Sequence, residues 1–270
     1  VTVEPGLKGS ITDNNGYYCL SNIEDNTYTM TITAEGFEQE QDTVIVTAGN
    51  SIMKNFILNA LPQFNSFTVT SAHIFESSGG DDFFQLKLEA SITDTDPNDL
   101  PGIAYYTYNS TPDTMFYQGS LSKYTRILTF QKEDEDEISN LIGVSFVCSV
   151  SDEHGAQVFS GPTQLVRIIN ASFPTNLTTF SPNNYTYVSS QPTFQWAPPG
   201  NMGLFNYQYR MTVYRVEGDV QVYQRAFADS VFNYELSDYT LSPVVHYWTI
   251  QLEDMFGNYS RSPKMYFVVQ

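Results

Sequence analysis

Basic residues are scarce in this chain. Twelve Lys and Arg stand against 30 Asp and Glu, a formal net charge of −18 over 270 residues. A field of that sign repels phosphate backbones and anionic lipid surfaces, so it argues against nucleic acid as a partner and draws divalent cations. Cysteine is nearly absent. Cys19 and Cys148 fall in different expected domains, which excludes a disulfide scaffold, and they are too few for a zinc ribbon. Cys148 shares an apolar face with Val144, Phe146 and Val150, where a thiol behaves as a small hydrophobe. No run is long and apolar enough to cross a membrane, and nothing before the first strand reads as a leader, as in a mature or trimmed product. The three histidines, His73, His154 and His246, belong to no metalloprotease, phosphate-loop, nucleophile-elbow or dinucleotide motif. No nucleophile, base and orienting carboxylate are predicted to converge, so the chain is expected not to be an enzyme.

Aromatic residues are plentiful at 15%, with 19 Tyr and 19 Phe, and such rings favour strands. The clearest strand lies within Leu241 to Ser262. It alternates through Tyr247, Thr249, Ile250 and Leu252, turns at Asp254-Met255-Phe256-Gly257-Asn258, and leads into a last strand. Earlier, Tyr28, Met30, Ile32 and Ala34 alternate with threonines. Gly16 to Leu20, Val44 to Val46 and Phe56 to Leu58 are predicted strands of the same first unit. Asn59-Ala60-Leu61-Pro62 reads as a short linker. Phe84, Leu86, Leu88, Ala90 and Ile92 mark a strand with one wet face in the second unit. Ile103 to Tyr108, Tyr124 to Phe130, Ile142 to Val150 and Val158 to Ile168 follow. The run Lys132 to Glu137 is too charged to be buried. Asp152-x-x-Gly155 lies 102 residues before Asp254-x-x-Gly257, a repeat that suits tandem sandwiches.

Three resemblances add to this. TDNNGYYCLSNI, NTYTMTITAEGF and TVIVTAGNSIMKNFIL resemble the carboxypeptidase regulatory-like domain, a transthyretin-like sandwich. That family implies an accessory module without catalytic residues, found beside peptidases, in outer-membrane receptors and in surface lipoproteins. The family has a further strand before the segment matching Val1-Thr2-Val3, which is absent here. The first unit is therefore expected to lack that strand and expose a sheet edge that a partner strand could fill, unless terminal residues were removed. Residues 61–169, with their final strand pair joined by a D-x-x-G turn, resemble a bacterial immunoglobulin-like domain. In residues 170–270, Pro182-Asn183-Asn184 and Pro192 to Pro199 resemble bacterial fibronectin type III-like modules, which implies that Trp196 is a core residue. Leu241-x-Pro243-x-x-x-Tyr247 resembles their tyrosine corner, in which the hydroxyl bonds back to the preceding chain.

The expected fold is thus all-β: three tandem β-sandwich domains at 1–60, 61–169 and 170–270. The best candidate site is the loop Asp94-Thr95-Asp96-Pro97-Asn98-Asp99, whose short oxygen side chains could hold Ca²⁺. It starts like an EF-hand but has Asp99 and Tyr105 where glycine and glutamate belong, so it is either a looser calcium site or an Asx-turn loop. No other cofactor is expected. Tyr105, Tyr106 and Tyr108, or Tyr207 and Tyr209, or the two tryptophans, could stack on sugars, and packing is the alternative for each. Trp248 and Tyr247 alternate, so one of them is expected to face outward. The expected function is a non-catalytic scaffold or adhesion protein on the outside of a bacterial cell, with a lipid anchor upstream of Val1 as one means of attachment. Its partners would be other surface proteins or glycans. The alternatives are a glycan-binding accessory region of a secreted enzyme and a filament or homo-oligomer subunit that exchanges strands.

Overall fold

The computed structural model describes residues 1–76, 82–96, 99–173, 179–200 and 204–270. Apart from one five-residue helix and short 3-10 turns, the regular structure of the described residues is β. Three separate apolar cores divide the chain in order.

The first module is a four-stranded antiparallel sheet in the order β2-β1-β3-β4, from β1 (Thr2–Glu4), β2 (Lys8–Gly9), β3 (Asn26–Ile32) and β4 (Glu40–Val46). Period-two alternation buries Tyr28, Met30 and Ile32 of β3 against Val3. Among the described residues these four are the buried apolar side chains of this core, against fifteen in the second and eighteen in the third. The expected strands at 16–20 and 56–58 are not in a ladder. Both runs are extended by their burial: Tyr18, Leu20, Phe56 and Leu58 face the core, while Cys19 and Ile57 face water. What they lack is a neighbour at ladder distance. A cleft of about 660 Å³ opens between residues 16–23 and 50–55.

The second module contains β5 (Gln63–Phe75), β6 (Asp82–Thr93), β7 (Ile103–Thr107), β8 (Pro112–Gln118), β9 (Lys123–Gln131), β10 (Ser145–Ser151), β11 (Gln157–Phe159) and β12 (Thr163–Gln164). Its alternation is strict: Phe84, Leu86, Leu88 and Ala90 of β6 are at most 1% exposed. The acidic run after β9 forms a 3-10 turn and then helix α1 (Glu135–Ser139), which keeps its carboxylates at the surface and drives Ile138 into the core.

The third module contains β13 (Thr186–Val188), β14 (Thr193–Gln195), β15 (Tyr207–Arg215), β16 (Val220–Ala228), β17 (Asn233–Glu235), β18 (Val245–Asp254), β19 (Tyr259–Arg261) and β20 (Met265–Val269). Trp196, as expected, is in the core, edge-on to Tyr209 and tilted against Trp248. Neither Tyr247 nor Trp248 faces water. Trp248 donates from Nε1 to Pro182 O at 2.7 Å inside the core, and Tyr247 stacks between Tyr214 and Tyr266 on the other face. The Tyr247 hydroxyl donates to the Asp219 carboxylate in the β15–β16 turn, not back to the chain before β18.

The modules are not beads on a thread. Strand β5 belongs to the second module, yet its end pairs in parallel with β19, as Ala72 with Tyr259, His73 with Ser260 and Ile74 with Arg261. One sheet therefore runs through both modules, in the order β11-β10-β7-β8-β9-β6-β5-β19-β18-β15-β16. Phe75, the last residue of β5, is part of the third core.

Candidate functional site

The 102-residue echo is a repeated structural device. In each turn the first aspartate caps its own loop: Asp152 Oδ1 accepts the Ala156 amide at 2.8 Å, and Asp254 Oδ1 accepts the Phe256 and Asn258 amides at 2.9 Å. Gly155 and Gly257 take positive φ, 93° and 84°, where a side chain would be strained. Beyond the turns, Ser160 Oγ accepts the Cys148 amide and Ser262 Oγ accepts the Ile250 amide, again 102 residues apart. Each turn abuts the end of the module before it, and its carboxylate makes the contact.

At the first joint, Asn59 Nδ2 donates to Asp152 Oδ2 at 2.7 Å and the Ala60 amide donates to Asp96 Oδ2 at 2.8 Å. The loop nominated for calcium therefore sits at a module boundary. Ligand atoms of Asp94, Asp96 and Asp99 lie within 4.8 Å of one another, as do those of Asp99, Asp152 and His154. Asn98, the fourth nominated ligand, lies outside the described residues. The Asx turn is also present, since Asp94 Oδ1 accepts the Asp96 amide at 2.9 Å. Asp99, 4% exposed, accepts the Glu153 amide at 3.0 Å and meets His154 Nδ1 at 3.1 Å. That hydrogen bond, with the Asp99 charge behind it, raises the His154 pKa above its ordinary value. Asp94 Oδ2 and Asn59 Oδ1 are buried without a hydrogen-bond partner.

At the second joint, Arg167 Nε pairs with Asp254 Oδ2 at 3.2 Å while its guanidinium lies 4.9 Å from the Phe205 ring centre. Asn258, 1% exposed, accepts the Ser71 amide on Oδ1 at 2.9 Å and donates from Nδ2 to Asp254 Oδ2 at 3.1 Å. Ser260 Oγ donates to Ala171 O at 2.6 Å. Sequence reasoning flagged both turns by their spacing but had no signal for Asn59, Ser71 and Arg167, the partners that come from the preceding module.

The titratable groups elsewhere are structural in their surroundings. His73, 2% exposed, bonds Asp82 through Nε2 at 2.7 Å and stacks on Phe84, with Lys132 also on Asp82. Burial pushes the His73 imidazole below its ordinary pKa, against the raising effect of Asp82. His246 is fully buried, with Nδ1 3.0 Å from Val244 O. Neither the first-module cleft nor a second, lined by Thr107, Tyr108, Ser149 and Phe159 among others, is bordered by a histidine or a carboxylate.

Of the aromatic candidates, Tyr106, Tyr209, Trp196 and Trp248 are buried and unavailable for stacking on a ligand. Tyr105 remains 45% exposed. It shares the outer face of the second module's sheet with Phe116 and Phe159, also exposed. The outward positions of β7, β8, β10 and β11 there are Ile, Tyr, Thr, Pro, Phe, Ser, Val and Gln, without a charge.

Residues 1–69 match the family model of the CarboxypepD_reg-like domain. No curated protein matches the chain. Among solved structures, fibronectin(III)-like modules of Clostridium thermocellum CbhA are 10% identical, with 78% of this chain and 94% of that one covered and a TM-score of 0.29. The FN1-FN3 domains of chicken CNTN1 are 7% identical, with 77% and 64% covered and a TM-score of 0.30.

Proposed function

We propose that this chain is a non-catalytic scaffold, a string of sandwiches at 1–60, 61–169 and 170–270 that holds its attachments at fixed spacing on the outside of a bacterial cell. The observation that carries this reading is the repeated joint, in which the same turn carboxylate grips the end of the preceding module at Asn59 and again at Arg167. A boundary that uses buried polar groups and, at the second joint, a shared sheet resists bending, as a flexible polar linker does not. The acidic surface suits an exported protein, and the family matched at the N-terminus supports an accessory role. Surface display, with a lipid anchor upstream of Val1, completes the proposal. Small-angle scattering of the full chain tests the joints: one rigid arrangement should fit the data, and a broad ensemble of inter-module angles would refute it. Antibody labelling of intact native cells tests the location, and signal only after lysis would refute that part.

A glycan-binding role has one specific observation in its favour, the uncharged outer face bearing Tyr105, Phe116 and Phe159 on a strongly acidic chain. Tyr105→Ala should then abolish polysaccharide retention in affinity gels, and unchanged migration of both proteins would exclude the role. Calcium at Asp94, Asp96, Asn98 and Asp99 would stiffen the first joint. It predicts a rise in melting temperature on adding Ca²⁺ that Asp96→Asn removes.

A further inference from the structure

The outer face of the second module carries a pocket of about 380 Å³, at the small end of the range for ligand sites. Its floor is Ser145, Val147 and Ser149 of β10, which alternate with buried Phe146, Cys148 and Val150. Over this stretch β10 changes neighbours, pairing with β12 at Ser145 and Phe146 and with β11 from Ser149 to Ser151. Phe159 of β11 stands on one side of the floor, paired with Ser149 and 63% exposed. Thr107, Tyr108 and Ser110, at and beyond the end of β7, stand on the other. Five of these seven side chains end in a hydroxyl, and among the described residues none of the five hydroxyls makes a hydrogen bond within the chain. None of the seven is charged, although the chain carries 12 basic and 30 acidic residues.

We propose that this pocket seats one ring of a neutral oligosaccharide, with its C–H face on Phe159 and its hydroxyls on Ser145, Ser149 and Thr107. The proposal rests on the glycan-binding reading and deepens it, from a flat face to a site with a floor, a wall and a class of sugar. A hydroxyl both donates and accepts, so serine and threonine meet sugar hydroxyls in either sense. The apolar face of a pyranose packs on an aromatic ring as other apolar groups do. A carboxylated or sulfated sugar would need Lys or Arg in the lining, and the net charge of −18 repels it. An amino sugar would need a carboxylate there, and none borders the pocket. A peptide strand finds no edge on β10, which is paired on both sides. Tyr105 of β7 is also paired with Ser149, so it and Phe159 flank that serine about 10 Å apart. Phe116 lies one strand further, opposite Ile103. The rest of the sugar chain runs from the pocket over Tyr105 and Phe116.

Native gels cast with glucomannan, xyloglucan or laminarin, beside a control gel with polygalacturonate, test this on the full chain. At least one neutral polysaccharide should retard the parent protein, and polygalacturonate should not. Ser149→Val and Ser149→Thr have nearly the same shape and differ by the hydroxyl. The position faces outward, so both should melt within about 2 °C of the parent. Ser149→Val should weaken retention roughly fivefold while Ser149→Thr keeps it. Phe159→Ala should weaken it about tenfold. The proposal is overturned if polygalacturonate retards the parent as strongly as the neutral polymers, or if Ser149→Val and Ser149→Thr are retained alike. Loss of retention in Tyr105→Ala, with Ser149→Val and Phe159→Ala unchanged, would leave the glycan reading standing and refute the pocket. Unchanged migration of the parent in every gel would refute both.

Discussion

Replacing Asn258 with alanine removes the side chain through which the third module holds the backbone of the second. Asn258 Oδ1 is the acceptor for the Ser71 amide at 2.9 Å, and both residues are 1% exposed. Without it the amide is buried and unpaired, which costs roughly 1–3 kcal/mol. The bond from Nδ2 to the Asp254 carboxylate is lost as well, although Asp254 keeps Arg167. The two losses share a network and do not add fully, so the total is about 3 kcal/mol. The β5–β19 pairing should make the second and third modules one cooperative unit of roughly 200 residues, for which each kcal/mol moves the midpoint by about 2–4 °C. Calorimetry of the full chain should therefore show the main transition falling by roughly 6–12 °C, and scattering should show a wider spread of inter-module angles. Asn258→Asp keeps an acceptor for Ser71 but sets a charge beside Asp254, so its deficit should shrink as pH falls below the carboxylate range. A fall in the Asn258→Ala midpoint of less than about 2 °C would refute the claim that this bond couples the modules.

Phe194→Ala should cost about 3–5 kcal/mol by urea denaturation, because the ring is fully buried against Trp248 and Phe267 at 5.2 and 5.9 Å. His73 and His154 should respond to pH in opposite directions. His73 is held below its ordinary pKa by burial, against the pull of Asp82, with Lys132 and Glu135 also acting on it. Its contribution is present above the unfolded value near 6.5 and is lost as pH falls from there through the lower folded pKa, and His73→Gln should flatten the acid side of the stability profile. His154 is held above its ordinary pKa by Asp99, so its contribution is present below about pH 6.5 and is lost as pH rises through the higher folded pKa. NMR titration of the His154 ring should show that pKa falling in Asp99→Asn and on adding Ca²⁺, and an unchanged value in both would contradict the proposed site.

Much of this architecture was legible locally. The alternation of β6 and β18 reads directly from residues 84–92 and 247–252, because one wet face imposes period two on the sequence. The paired turns were visible because an aspartate cap and a positive-φ glycine are demands made within five residues. What escaped was set at a distance. Tyr247 has the spacing of a corner tyrosine, yet its acceptor is Asp219, 28 residues back, brought there by the 3-10 turn at Glu217–Asp219. Gly16 to Leu20 and Phe56 to Leu58 alternate as strands should, but a strand needs a neighbour, and alternation cannot report that none is in reach. The loop nominated for calcium was picked out by its composition. Its place at a joint depends on Asn59 meeting Asp152, 93 residues on.

The two joints share a turn and differ in how its charge is balanced. At the second, the Asp254 side chain is 1% exposed and Arg167 neutralises it, with Phe205 covering the guanidinium. Breaking such a pair would leave a buried charge uncompensated, at a cost of roughly 3–5 kcal/mol. At the first, Asp152 receives only the neutral amide of Asn59 and its own turn, while Asp94, Asp96 and Asp99 gather beside it with His154 as the cation in contact with Asp99. His154 is 66% exposed in its side chain, so solvent weakens that balance, and it disappears when the ring deprotonates. The second joint therefore carries its own counter-charge, whereas at the first the balance falls to His154. If the string bends anywhere, it bends between the first and second modules. The module there is the one with the thinnest core, so a cation bound at that joint would stiffen the least supported end of the molecule.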